Sequence, residues 1–174
     1  MNSLPEIAQL GASVLRQQAA YVNNIHDLEV VNTIAAMQAA LAATQGVGLA
    51  AAQIGIAKRI IIVASRPTVR YPNAPAMPPT IMINPEYQPL SEEIVKDWEG
   101  CLSIPGIRAL VPRYQTIAIQ FVNVDGEIIS ETLDNFVARI FQHEFDHLEG
   151  MVYLDRVENS KDIISESEYL KLFV

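Results

Sequence analysis

Residues 134–150 read DNFVARIFQHEFDHLEG, and the reading of this stretch organises the rest of the chain. Phe136, Ile140, Phe141, Phe145 and Leu148 spread apolar surface around a helical period, which predicts a helix from Asn135 to about Glu149. A helix so broadly apolar is a buried one. Asp134 stands where an N-cap belongs and Gly150 where a helix stops. Within it lies His143-Glu144-Phe145-Asp146-His147, an H-E-x-x-H. Residues four apart share one face of a helix, so both imidazoles can reach a single metal ion. Glu144 then lies beside a water on that metal, where a carboxylate acts as general base. Buried ionisable groups need partners, and a metal supplies one. Two of the three histidines are spent here; His26 reads as a helix-start residue unrelated to the site.

Two histidines make half of a tetrahedral site. The candidate third ligand is Cys101, within Glu99-Gly100-Cys101-Leu102-Ser103. A lone cysteine is commonly a small buried hydrophobe. The glycine beside this one lets backbone approach closely, and two imidazoles with one thiolate leave a coordination position for water. A third cluster, GVGLAAAQ at residues 46–53, is weak as a Gly-x-Gly piece and lacks the spacing of a dinucleotide site. Beside the other two it reads as a tightly packed strand, with the Gln53 amide able to donate to a developing oxyanion. The bland alternative leaves Gln53 on the surface.

Outward from these clusters, residues 10–20 predict a short helix. Val30, Ile34, Met37 and Leu41 predict a second, capped by Asp27 and stopped at Gly46, whose role is packing. Residues 59–64 read as a buried strand. The proline-rich run 66–80 reads as a loop, followed by a short strand 81–84 that Pro85 confines to an edge or an end. Residues 116–124 and 127–133 flank Asp125-Gly126 as a hairpin. Residues 162–172 predict a final helix. The whole, 1–174, reads as one catalytic domain without repeats, of α+β class.

Half of the 174 residues are apolar and 18% charged, an ordinary composition for a globular protein. A net charge of −8 and pI near 4.8 argue against nucleic acid as a partner. One cysteine excludes an internal disulfide and suits a reducing compartment. No secretory or transit signal and no membrane span is readable, so the expectation is a cytoplasmic, membrane-free protein.

GVGLAAAQ, EGCLS and HEFDH, in this order, resemble the three signature motifs of the peptide deformylases, and similarity continues through Ile104-Pro105 and residues 108–113, RALVPR. The resemblance implies a bacterial enzyme with antiparallel sheets packed around the central helix that carries H-E-x-x-H. It implies that Cys101, His143 and His147 bind one metal ion, with water in the fourth place. Glu144 would take a proton from that water and return it to the departing amine. Gln53 and the backbone N–H of Leu102 would hold the oxyanion. The substrates would be N-formylmethionyl peptides on nascent chains, cleaved to formate and a free N-terminus. Val47, Gly48, Gly100, Arg108 and Ile140 match positions lining the peptide groove or methionine pocket. Donor chemistry alone suggests zinc; the resemblance implies Fe(II), with nickel, cobalt or zinc possible in purified protein.

Glu99, Arg113 and Asp146 are candidates, by position, to orient the ligands from behind, with Glu99 and Arg113 pairing to hold the Cys101 loop. Some bacterial members carry a basic C-terminal helix that docks on the ribosome. Residues 159–168, NSKDIISESE, are more acidic than basic, so that contact is not carried over. Two other readings remain open: another H-E-x-x-H hydrolase such as a peptidase, or a non-catalytic metal- or partner-binding relative.

Overall fold

The computed structural model describes residues 4–68 and 71–173. Its centre is α2 (Asn135–Leu148), where eleven of the fourteen residues are buried. That burial follows from the apolar positions that wrap the helix. Gly150, at φ 71°, turns the chain left-handed just past its end, a conformation that favours glycine. Asp134 occupies the N-cap position, but its side chain does not cap. The carboxylate instead accepts from the Thr116 hydroxyl at 2.7 Å, drawn across the neighbouring strand pair.

Two antiparallel sheets enclose α2. The larger runs β1 (Gly48–Ala50), β2 (Ile60–Ser65), β3 (Met77–Pro89), β6 (Thr116–Val122) and β7 (Ile128–Asp134), adjacent in that order. The smaller has β5 (Ile104–Tyr114) between β4 (Ile94–Cys101) and β8 (Ile163–Ser165). The architecture is α+β, as expected. Ile60, Ile61, Ile62 and Val63 of β2 are fully buried. Each such side chain contributes on the order of 1.5–3 kcal/mol relative to exposure.

Several expected boundaries move, each for a tertiary reason. The 10–20 helix reduces to one 3₁₀ turn, Ser13–Arg16, because Ala19 and Ala20 are drawn into backbone bonds with Leu148, Ala57 and Arg59. Helix α1 spans Leu28–Ala42 and ends before Gly46, where the Thr44 hydroxyl takes the Leu41 carbonyl. Asp27 does not cap it; its carboxylate accepts from the Asn24 amide. The proline-rich loop is shorter than read, because residues 77–80 pair with β2. Pro85 does not confine β3 to an edge. The strand lies between β2 and β6, and the register shifts between Ile83 and Glu86 around the proline. The expected final helix is displaced by β8, so α3 covers only Glu166–Leu170, with the Ser165 hydroxyl capping Glu168. The hairpin of β6 and β7 pairs from Thr116↔Asp134 to Val122↔Ile128.

Candidate metal centre and catalytic cleft

Three elements meet at the site: β1 with the 3₁₀ turn Ala51–Ile54, the end of β4, and α2. The turn of α2 puts His143 and His147 on one face, and the β4–β5 hairpin delivers Cys101 to it. One ligand atom from each of Cys101, His143 and His147 lies within 4.8 Å of the others, and all three residues are buried. Cys101 Sγ is 3.4 Å from His147 Nε2. His143 Nδ1 is 2.9 Å from Glu99 Oε2; with its proton donated there, Nε2 is left as the lone-pair nitrogen.

Electrostatics suit a cation. Burial pushes His147 down to about 3, so it is neutral, as a ligand must be. Burial also acts to lower His143, but hydrogen bonds with Cys101 and Glu99 outweigh it and raise it well above its ordinary value. A metal binding at His143 would therefore displace a proton from it. Glu144 is pushed up to about 7, chiefly by burial, and its Oε2 has no hydrogen-bond partner among the described residues.

Behind the ligands lies a closed ionic network. Glu99 Oε1 accepts from Arg113 Nε at 2.9 Å and Arg139 Nη1 at 2.8 Å, while Oε2 also accepts from Arg113 Nη2 at 3.0 Å. Arg113 Nη1 donates to Asp146 Oδ2 at 2.6 Å, and Asp146 Oδ1 accepts from Arg156 at 2.7 Å. Burial acts to raise the Glu99 carboxyl, but Arg113 and His143 hold it far below the usual carboxylate range. A charge-assisted, bidentate contact of this kind fixes geometry as well as charge.

Gln53 is buried, not on the surface. Its Oε1 accepts from the Ala50 N–H at 2.9 Å, which orients Nε2 toward Cys101 Sγ at 3.4 Å and Ser103 Oγ at 3.2 Å. Leu102 follows Cys101 in the turn between β4 and β5. Val47, Gly48, Gly100, Leu102, Arg108 and Ile140 all border one cleft of about 540 Å³, with Gln53, Cys101, His143 and Glu144.

Gly48 faces Glu144 closely. A Cβ there would lie 2.2 Å from Glu144 Oε1, so any side chain displaces the carboxylate. Because that carboxylate is the end of a flexible side chain, the fold can absorb the change and the site cannot. Gly48→Ala is expected to lower turnover about ten- to hundredfold, since misplacement on the order of 1 Å has that effect. Its Tm should stay near the parent's; parental turnover in steady-state kinetics would contradict the close approach.

Tyr71, Trp98, Phe136, Arg139, Glu166 and Tyr169 also line the cleft and were not singled out from sequence. Phe136 and Arg139 stand seven and four residues before His143, so helical spacing is the signal that points to them. For Tyr71, Glu166 and Tyr169 no local signal exists.

A buried Cys/His/His donor set, an adjacent unpartnered glutamate and an amide donor define a metal-dependent hydrolase. The comparisons with known proteins narrow that class. The sequence model of the family described as Polypeptide deformylase matches residues 4–162. Peptide deformylase 2 of Nostoc sp. is 52% identical over 166 residues, covering 95% of this chain and 93% of the relative. Peptide deformylase 1 of Nitrosomonas europaea is 42% identical over 153 residues, covering 88% and 87%. The Met-Ala-Ser-bound class I type b peptide deformylase of Acinetobacter baumannii matches with a TM-score of 0.85 and 39% identity, covering 90% of this chain and 100% of that one. The chain belongs to the polypeptide deformylase family.

Proposed function

We propose that the chain, as one catalytic domain over 1–174, removes the formyl group of N-formylmethionyl nascent peptides in the bacterial cytoplasm. The observation that carries this reading is the convergence of Cys101, His143 and His147 in a cleft where Glu144 is buried and unpartnered. A neighbour of the same fold holds Met-Ala-Ser, a peptide with the free methionyl N-terminus that deformylation leaves. No helix among the described residues is long and apolar enough to cross a membrane.

Cys101, His143 and His147 would hold a divalent ion, which when bound would supply Lewis acidity and lower the pKa of a water toward neutrality. We assign that proton to Glu144, whose carboxyl lies near 7 and is therefore poised both to accept and to release it. As the water oxygen bonds to the formyl carbon, the carbonyl oxygen gains charge. The Gln53 amide and the Leu102 N–H are the donors for it, Gln53 being pre-oriented by Ala50. The C–N bond then breaks, Glu144 gives its proton to the departing amine, and formate is released. Val47, Gly48, Gly100, Arg108 and Ile140 bound the space for the peptide and the methionine side chain.

The donor set suits zinc as well as iron. The proposal is Fe(II) as the working metal, with zinc, nickel or cobalt able to occupy the same donors. The acidic character of residues 159–168 gives no basis for ribosome docking through this segment.

The test is formate release from formyl-Met-Ala-Ser by protein loaded anaerobically with Fe(II). Turnover should vanish on chelation and return with Fe(II), and zinc-loaded protein should be slower. Acetyl-Met-Ala-Ser should be a poor substrate, because a narrow space beside Gly48 and Glu144 admits a hydrogen on the acyl carbon more readily than a methyl. Equal turnover of the two peptides would refute the narrow site. Failure of fully metal-loaded protein to release formate would refute the reaction.

A further inference from the structure

One wall of the cleft is built by a segment with no part in the steps above. Strand β8 pairs with β5 at Ile107↔Ser165, Arg108↔Ile164 and Ala109↔Ile163, which sets the following α3 against the cleft. Glu166 Oε1 accepts from Arg108 Nη2 at 2.6 Å. The Arg108 guanidinium also lies 5.9 Å from the centroid of the Tyr169 ring, and Tyr169 packs edge-on against Trp98 at 5.6 Å. Tyr169 is 2% exposed. Held in this way, Arg108 lies across Gly100, where a Cβ would fall 1.1 Å from Nη1.

The position matters for what passes it. The ligand cluster is buried, whereas the Arg108 and Glu166 side chains retain 13% and 32% exposure. Arg108 and Glu166 line the same cleft as Cys101, His143 and Glu144, so a peptide that fills it lies against them. A guanidinium alone there would attract peptides with a carboxylate among the residues after methionine and disfavour those with lysine.

We propose that Glu166 and Tyr169 determine specificity: they hold Arg108 over Gly100 and neutralise it, so that the cleft accepts nascent chains irrespective of the charge that follows methionine. This rests on the deformylase reading. Glu166 acts through Arg108 as a positioning residue, and its removal should convert a charge-indifferent wall into a cationic one.

The test compares parent and Glu166→Gln on formyl-Met-Ala-Glu-amide and formyl-Met-Ala-Lys-amide. In the variant, the ratio of kcat/KM for the glutamate over the lysine peptide should rise about three- to tenfold, the range expected for one partly screened charge. The change should lie mainly in KM and shrink in high salt. Glu166→Asp, which keeps the charge, should keep the parental ratio, and adding Arg108→Gln to Glu166→Gln should abolish the shift. The same ratio read calorimetrically from the deformylated Met-Ala-Glu-amide and Met-Ala-Lys-amide does not depend on turnover. An unchanged ratio in both assays overturns the proposal. Absence of formate release with the binding shift intact overturns the deformylase reading instead.

Discussion

Glu144→Gln is expected to lower formate release by about 10²–10⁴-fold, the usual contribution of a positioned general acid–base. Glutamine keeps the shape of the side chain and cannot take a proton from water. Bound metal, read by elemental analysis, should match the parent, because the proposed ligand atoms belong to Cys101, His143 and His147. Stability should not fall. Glu144 is buried with one oxygen unpartnered, and burying a neutral amide costs less than burying a carboxylate. Parental turnover by a fully metal-loaded variant would remove Glu144 from the mechanism.

Arg113→Ala should produce the largest loss of stability among these substitutions. Arg113 joins Glu99 of β4 to Asp146 of α2, with all three side chains at 5% exposure or less. Truncation leaves two carboxylates buried without their shared cation, although Arg139 still reaches Glu99 and Arg156 still reaches Asp146. Removing one member of a buried ion pair costs about 3–5 kcal/mol. For a chain of this size that is a fall in Tm of about 10 °C. Glu99 also holds the His143 ring, so metal affinity should drop about 10–100-fold, as it does when an outer partner of a ligand is lost. Unchanged thermal melting and unchanged metal content would show that the network is not what steadies the Cys101 loop.

How much is legible in the sequence depends on how local the controlling forces are. Helix α2 is legible because its apolar spacing and its glycine stop lie within seventeen residues. Strand β2 is legible because a run of β-branched residues leaves little else possible. The hairpin of β6 and β7 announces itself through alternation around Asp125-Gly126. Strands β4 and β5 are not so announced: Lys96, Asp97 and Glu99 interrupt one, while Pro105, Gly106 and Pro112 interrupt the other. Their pairing from Ile94↔Tyr114 to Cys101↔Ile104 becomes visible only once both are assembled. Pro85 misleads for a related reason. A proline donates no ladder bond, and β3 accommodates that loss inside the sheet by a register shift.

The site divides along the same line. The spacing of His143 and His147 within a helix suggests a metal site with Glu144 beside it, and the three motifs in order carry the likeness to a family, which implies the donors and the base. Sequence also suggests that Glu99 and Arg113 pair, since both flank the cysteine hairpin. Arg139 on Glu99, Arg156 on Asp146, and Glu166 and Tyr169 on Arg108 are decided by tertiary structure alone. Each joins residues at least ten apart through side-chain contacts that no periodicity encodes. Sequence determines which chemistry the chain can carry, because spacing along one helix is a local property. The fold decides what surrounds that chemistry, because a buried charge takes whatever partner the packing brings within reach.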